Sequence, residues 1–287
     1  MQQCFSEEYR QETFFDKNVQ LVYASKIDEC DSIYPRVMHS HEDLVEILLI
    51  TSGKGNFFIK GVYYEVKQGD IVVFNSGVIH DELLTQENAI SLYCCALKNL
   101  KLKGLRKDAV IPDDCCPVIP TGEHFNNLLS IFSLMFSILQ SKTNNFSAIS
   151  QELSRGLLHY LKGNILEPHI IEDNNTSKVL PLKIREYIDR NYTEDIQLQK
   201  IAEELDISLY YLSHVFKDMF GYSPGNYIVR RRIGEAQTLL ITTNDSVINI
   251  ASRVGYNNVS HFNTLFKKLI GMTPKQYRKS YLEKERS

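Results

Sequence analysis

The apolar positions of this chain change period along its length. From about residue 18 to 97 they form short runs rich in Val, Ile, Phe and Tyr, broken at Gly53, Gly55, Gly61, Gly69 and Gly77. That rhythm predicts an all-β sandwich or barrel. Over 124–140 (HFNNLLSIFSLMFSILQ) and 147–166 (SAISQELSRGLLHYLKGNIL) the spacing becomes helical. The polar stretch EPHIIEDNNTSK at 167–178 carries a proline and no apolar period, so it predicts a linker. The expected organisation is a β domain with appended helices over 1–166, the linker over 167–178, and an all-α domain over 179–287.

The helix over 124–140 has more apolar surface than one buried face requires. Phe125, Leu128, Leu129, Phe132, Met135, Phe136 and Leu139 make one stripe, and Ile131, Leu134 and Ile138 make a second. One stripe covers the β domain; the other needs either the following helix or a second copy of the chain. The reading favours a homodimer.

Within the all-α part the chain says nearly the same thing twice. VFKDMFGYSPGNY at 215–227 returns as LFKKLIGMTPKQY at 265–277. Phe216, Lys217, Gly221, Pro224 and Tyr227 fall on Phe266, Lys267, Gly271, Pro274 and Tyr277. In the first copy a short apolar helix (198–205) is followed by a break at Asp206-Ile207-Ser208, and Ser208 is placed to cap a second helix. Ala202 is small where two helices would cross, and Leu212 returns to the core. This is helix-turn-helix spacing. In the second copy Ile250 and Ala251 match Ile201 and Ala202, and Gly255 supplies the turn.

Each second helix separates an apolar stripe from a polar one. Leu212, Val215, Phe216 and Met219 point one way, leaving Tyr210, Ser213, His214 and Lys217 outward; Phe262, Leu265, Phe266 and Leu269 leave Ser260, His261, Asn263, Thr264 and Lys267 outward. Short polar groups ending in a lysine suit base edges and phosphates. A single helix begins at Ser223-Pro224 between the copies and would hold them a fixed distance apart. Its Arg230, Arg231 and Arg232 are open to two readings, phosphate contacts or, for Arg232, a pair with an acidic neighbour. Charge agrees with a polyanionic partner for this half only: 178–287 holds 17 Lys and Arg against 12 Asp and Glu, whereas 1–177 holds 15 against 23.

Residues 180–280 resemble the AraC/XylS family of bacterial transcription regulators. The resemblance rests on IAEELDIS, YLSHVFK, G-x-S-P-x-x-Y, R-I-x-x-A, IASRVGY, SHFNTLFKK and G-x-T-P-x-x-Y-R. It implies a regulator, commonly an activator, that binds promoter DNA through two helix-turn-helix units and touches RNA polymerase. Asp206 replaces the usual turn glycine, and His214 and Thr264 stand where arginine is frequent.

In the β part, HSHEDLVEILLITSG at 39–53 and GDIVVFNSGVIH at 69–80 place His39, His41, Glu46 and His80 at spacings similar to the two motifs of cupin barrels. The first motif lacks its leading glycine, and Asn75 replaces the usual proline of the second. The resemblance implies a cupin-like sensor domain holding a small effector such as a sugar. Three uses of the four residues stay open: lining an effector pocket, supporting the scaffold, or ligating a divalent metal. The first is the assignment adopted, with no metal and no cofactor implied. The alternative functions are a metal-dependent cupin enzyme and a metal-sensing regulator.

Other chemistry finds little support. Gly53-Lys54-Gly55 lacks the length and following Ser or Thr of a phosphate-binding loop, and is expected to be a hairpin turn. No nucleophile, base and orienting group stand out as a catalytic set. Six cysteines without C-x-x-C spacing read as reduced structural thiols. The polar first twelve residues lack the apolar core of a secretory signal, and no apolar run is long enough to span a membrane, which predicts a cytoplasmic protein.

Overall fold

A computed structural model describes residues 18–32, 36–84, 88–166 and 179–284. The expected linker at 167–178, Cys4 and Tyr34 lie outside these residues. The fold is α+β with two parts. The first contains β1 (Gln20–Ile27), α1 (Glu29–Ser32), β2 (Leu44–Ile59), β3 (Val62–Lys67), β4 (Asp70–Phe74), β5 (His80–Leu83), β6 (Ile90–Lys98), β7 (Val118–Pro120), α2 (Phe125–Ser141) and α3 (Phe146–Asn164).

All strand pairs are antiparallel, and β2 is shared between two layers. Its first half pairs with β6 and β4, and its second half with β3 and β5. The expected hairpin turn at Gly53-Lys54-Gly55 is therefore a bend within one strand. The register against β6 slips between Ile50 and Ser52, and Gly53 has φ of 77°. A Cβ there would lie 2.2 Å from the Ala89 carbonyl oxygen, so only glycine permits the crossing. The true reversal is Lys60-Gly61, where both φ values are positive and Ile59 faces Val62.

Alternation along β2 then builds two cores. Val45, Ile47 and Leu49 point to the helical layer, where Leu128, Phe132 and Met135 of α2 and Leu157, Leu158 and Leu161 of α3 cover them. Leu48 and Ile50 point the other way, against Val72, Phe74 and Leu92. Glu46 shares the second face by period, which carries its carboxylate inside. The second stripe of α2 is only partly covered by α3: Leu134 stays 50% exposed, beside a groove formed by Ile131, Ala148, Ile149 and Leu153.

The second part comprises α4 (Val179–Asn191), α5 (Leu198–Glu204), α6 (Leu209–Phe220), α7 (Pro224–Thr242), α8 (Val247–Arg253), α9 (Val259–Ile270) and α10 (Pro274–Lys284). The repeated residues are explained by helix ends and rings. Ser208, Ser223, Ser246 and Asn258 accept from the backbone N–H groups of Tyr211, Asn226, Asn249 and His261. Gly221 and Gly271 end α6 and α9 in the left-handed conformation, and Asp206 turns between α5 and α6 at φ of 53°. Phe216 meets Tyr227 edge-on at 5.4 Å, and Phe266 meets Tyr277 at 5.7 Å. Each pair locks a recognition-type helix to the helix after it, adding roughly 0.5–1.5 kcal/mol beyond its buried area.

The two parts pack against each other. Met38 and Phe58 join the core of the first helix-turn-helix, and Val37 joins that of the second. The Tyr63 hydroxyl donates to the Phe220 carbonyl at 2.8 Å, and Arg185 donates to the Lys60 carbonyl at 2.8 Å. Gly234, in mid-helix α7, faces this seam; a Cβ there would sit 2.1 Å from the Met38 carbonyl oxygen. Replacing this glycine raises helix propensity by about 1 kcal/mol, but overpacking against fixed backbone costs about 1–3 kcal/mol. Gly234→Ala is thus expected to destabilise the docked state and increase the radius of gyration by small-angle X-ray scattering. An unchanged radius with a raised unfolding midpoint would contradict this seam.

Candidate nucleic-acid interface and sensor site

The outward positions of α6 and α9 lie where the sequence placed them. Tyr210 is 80% exposed, His214 and Lys217 are exposed, and Ser213 is half-buried. On α9, Ser260, His261, Thr264 and Lys267 are exposed and Asn263 is half-buried. Tyr210 and His214 run parallel, with ring planes 4° apart and centroids 6.1 Å apart. Asp218 lies 3.5 Å from the His214 ring, an exposed contact worth little. The Thr264 hydroxyl donates to the Ser260 carbonyl at 3.0 Å, leaving its lone pairs outward. Among the described residues neither face shows a hydrogen bond or ion pair to the barrel. They belong to a domain built around one 19-residue helix, α7, about 28 Å long.

The three arginines of α7 point into the protein. Arg230 makes a two-pronged pair with Asp81 of the β part at 2.7 and 2.8 Å. Arg231 is buried, 3.5 Å from Asp189, and donates to the Met38 carbonyl at 3.4 Å. Arg232 donates to the carbonyls of Tyr192 and Glu194 at 2.6 and 2.7 Å, so its acceptors are backbone rather than a carboxylate.

In the barrel, His39, His41, Glu46 and His80 come together, with one possible ligand atom from each lying within 4.8 Å of the others. The topology dictates this. His39 and His80 exchange both backbone hydrogen bonds, at 3.0 and 2.9 Å, so their rings are cross-strand neighbours with centroids 4.2 Å apart. Phe74 faces Glu46 in register on β4 and stacks on His80 at 3.8 Å. Where a proline is usual, the Asn75 amide donates to Ile111 O and Asp113 Oδ1 and its oxygen accepts from Val110 N, tying the neighbouring loop to β4.

Tautomers follow from the backbone. His39 Nδ1 and His80 Nδ1 each lie 3.0 Å from a carbonyl oxygen, of Val37 and Val78. A carbonyl only accepts, so both Nδ1 atoms carry hydrogen and both Nε2 atoms turn inward. Burial, with Arg36 and the other two histidines, holds His39 well below the usual imidazole range; burial also lowers His80 against the pull of Glu46. Burial opposes ionisation of Glu46, but the facing His41 and His80 rings outweigh it and hold the carboxyl well below its usual range. Tyr23 donates its hydroxyl to Glu46 Oε1. The result is an anionic oxygen among imidazoles.

Residues outside the sequence-based set prove to connect the two sites. The Val37 N–H donates to the Gln237 side chain at 2.9 Å, and Arg36 donates to Thr238 at 2.9 Å. Asp81 follows His80 directly, and its side chain is wholly buried against Arg230. One signal was available: Gln237 stands one turn beyond Ile233, a polar residue inside an apolar stripe, and Gly234 weakens the same helix without ending it. Nothing in the sequence paired Asp81 with Arg230, 149 positions apart.

A ligand-binding type of β-barrel joined to tandem helix-turn-helix units defines a two-domain DNA-binding transcription regulator. Residues 27–158 match the family described as AraC-like ligand binding domain, and 201–280 match a helix-turn-helix domain family. The uncharacterized HTH-type transcriptional regulator YdiP of Escherichia coli is 29% identical over 245 residues, 85% of this chain and 81% of that protein. The Msm operon regulatory protein of Streptococcus mutans is 23% identical over 270 residues, 92% and 93% of the two chains. The lactose operon transcription activator of Staphylococcus xylosus is 22% identical over 230 residues, 80% and 82% of the two. The chain belongs to the AraC family of helix-turn-helix transcription regulators and carries an N-terminal AraC-like ligand-binding domain. No helix among the described residues is long and apolar enough to cross a membrane.

Removing one partner of a buried ion pair leaves the other charge uncompensated, at a cost of about 3–5 kcal/mol. Asp81→Ala is expected to lower stability by that amount in urea unfolding, whereas exposed Asp218→Ala changes it by less than about 0.5 kcal/mol. Equal effects would remove the special standing of the Asp81–Arg230 contact.

Proposed function

We propose that the chain is a ligand-responsive activator that works in the cytoplasm as a homodimer, reading promoter DNA with α6 and α9 and contacting RNA polymerase. The observation that carries the DNA reading is the pair of exposed polar faces, Tyr210, Ser213, His214 and Lys217 on α6 and Ser260, His261, Asn263, Thr264 and Lys267 on α9, set in one domain by α7. Two helices held by a common rigid spacer suit successive major-groove segments on one side of a duplex. The effector acts at the barrel domain, where His39, His41, Glu46 and His80 converge. Similarity to a lactose operon transcription activator supports activation as the output and a sugar as the effector class. In this reading 1–166 serves sensing and pairing and 179–287 serves DNA, with 167–178 as the linker.

The dimer reading draws on α2 and α3. Leu134 and Ile149 are 50% and 42% exposed; Ile149 lines a groove with Ile131, and Leu134 follows Ile131 on α2 by three residues. A continuous apolar surface of two long helices suits a second copy of the same surface in an isologous contact.

In DNA-binding titrations, His214→Ala and Thr264→Ala are each expected to cost about 1–3 kcal/mol and to relax preference at particular base pairs. Lys217→Ala should weaken all sequences alike and reduce the salt slope by about one. If none of the three changes affinity or preference, the placement of the reading helices fails. Leu134→Glu combined with Ile149→Glu is expected to yield monomers by analytical ultracentrifugation with an unchanged unfolding midpoint. A dimer that survives both charges would reject this surface.

A further inference from the structure

Each helix-turn-helix unit is attached to its own stretch of α7, the first at Tyr227 and Ile228 and the second at Ile233, Ala236, Leu239 and Leu240. The shared helix sets the separation of the units but leaves rocking of each about its own attachment opposed only by local packing. A direct meeting between the units adds a further restraint. It joins the loop from α4 to α5 with the turn from α8 to α9. A Cβ on Gly255, which has φ of 89°, would lie 2.5 Å from the Thr193 carbonyl oxygen, so the two backbones touch there. Both the turn and the close approach call for glycine.

Arg232 fills this joint. It leaves α7 between the two attachments, and its Nε and Nη2 donate to the carbonyl oxygens of Tyr192 and Glu194 in the first unit. Its guanidinium carbon also lies 5.2 Å from the centroid of the Tyr256 ring, in the turn of the second unit. A planar fork with donors along its edge and a face for stacking serves both contacts at once, which a compact ammonium does not. Tyr256 passes the contact on. Its ring meets that of Phe262 at 5.4 Å and stands edge-to-face with His261 at 6.0 Å, a core residue and an outward residue on the first turn of α9. The Tyr256 hydroxyl has no hydrogen-bond partner among the described residues, so the ring rather than the hydroxyl makes the joint.

We propose that Arg232 and Tyr256 clamp the two helix-turn-helix units together and thereby set which spacing of duplex segments the chain accepts. This rests on the reading of α6 and α9 as the DNA-reading helices and names the residues that fix their relative placement. Arg232 is half-buried and Tyr256 is buried, so both are positioning residues, acting through α6 and α9 rather than on a base. One extra base pair between two segments moves the second by about 3.4 Å along the duplex and turns it by about 34° around it. A clamped pair of reading helices loses one set of contacts on such a duplex; an unclamped pair follows part of the way.

The test uses the full chain and a duplex that it recovers from a randomised pool, with versions carrying one base pair more or one fewer between the two footprinted segments. The natural chain is expected to bind the altered versions at least about tenfold more weakly. Arg232→Ala and Tyr256→Leu should each reduce that penalty to about threefold or less, and the double variant should add nothing further, because both break one joint. Tyr256→Leu carries the test should Arg232→Ala not fold. Tyr256→Phe, which keeps the ring, and Ile270→Val, which loosens the second core at the far end of α9, should retain the penalty. Without DNA, Tyr256→Leu should quicken amide hydrogen exchange at least tenfold at Glu194 and Ile196, whose N–H groups close the loop on the other side of the joint. An unchanged penalty in Arg232→Ala and Tyr256→Leu, an equal loss in Tyr256→Phe or Ile270→Val, or unchanged exchange at Glu194 and Ile196 would each overturn the proposal. A natural chain that selects no duplex from the pool sinks the DNA reading and the spacing with it, whereas the exchange result stands or falls on the clamp alone.

Discussion

An ion pair removed from water must be matched by geometry, or its desolvation outweighs its attraction. Asp81 and Arg230 meet that requirement, with a carboxylate and a guanidinium aligned on two bonds of 2.7 and 2.8 Å and a tyrosine ring, Tyr222, beneath the cation at 5.0 Å. Because the Asp81 side chain is fully buried, the pair tolerates little displacement. Much else depends on that. The seam holds α7 against the barrel, and α7 sets the separation of α6 and α9. A contact between sensor and reader therefore bears on the one element that controls the reader's geometry.

The same helix has two other obligations. Tyr227 and Ile228 complete the first helical core, and Ile233, Ala236, Leu239 and Leu240 complete the second. Gly234 and Gln237 occupy the remaining face toward Met38 and Val37. A helix buried on so many sides cannot tilt without breaking contacts in both cores, so it moves as a unit or stays put.

Much of this architecture was legible in the sequence because it is written in short-range terms. Helix ends announce themselves through Ser208, Ser223 and Gly221, and the repeat makes each such signal appear twice. The cupin-like spacing brought His39, His41, Glu46 and His80 to one place, since alternation along β2 decides the face of Glu46 and backbone pairing decides the rest. What escaped is long-range. Lys60-Gly61 makes the tight reversal without the usual Asn-Gly, while the more conspicuous Gly53-Lys54-Gly55 is a bend in a continuous strand. Arg230 to Arg232 looked like a phosphate-binding run because each is a cation near the start of a helix. Their actual acceptors, Asp81, Met38 and the loop carbonyls of Tyr192 and Glu194, lie far away in sequence and have no local pattern.

The exposure of α6 and α9 in the docked arrangement constrains how any signal could act. His214, Lys217, His261, Thr264 and Lys267 all face outward while the barrel grips α7 from the other side. Among the described residues the seam leaves these faces uncovered, so in the proposed reading it does not act by covering them. With reading assigned to these two helices, a signal in the barrel has to act on their placement, either relative to each other through α7 or relative to a second chain through the orientation of the whole docked unit. The first route would require α7 to leave two completed cores. The second requires that the seam shift or release, at the cost of one buried ion pair, a few hydrogen bonds and the contacts of Val37, Met38 and Phe58 with the helical cores, while the helix-to-helix packing of each core is kept. In the proposed reading the smaller disruption favours the second route, in which the helical domain would keep its own shape and the barrel would govern where that shape is presented.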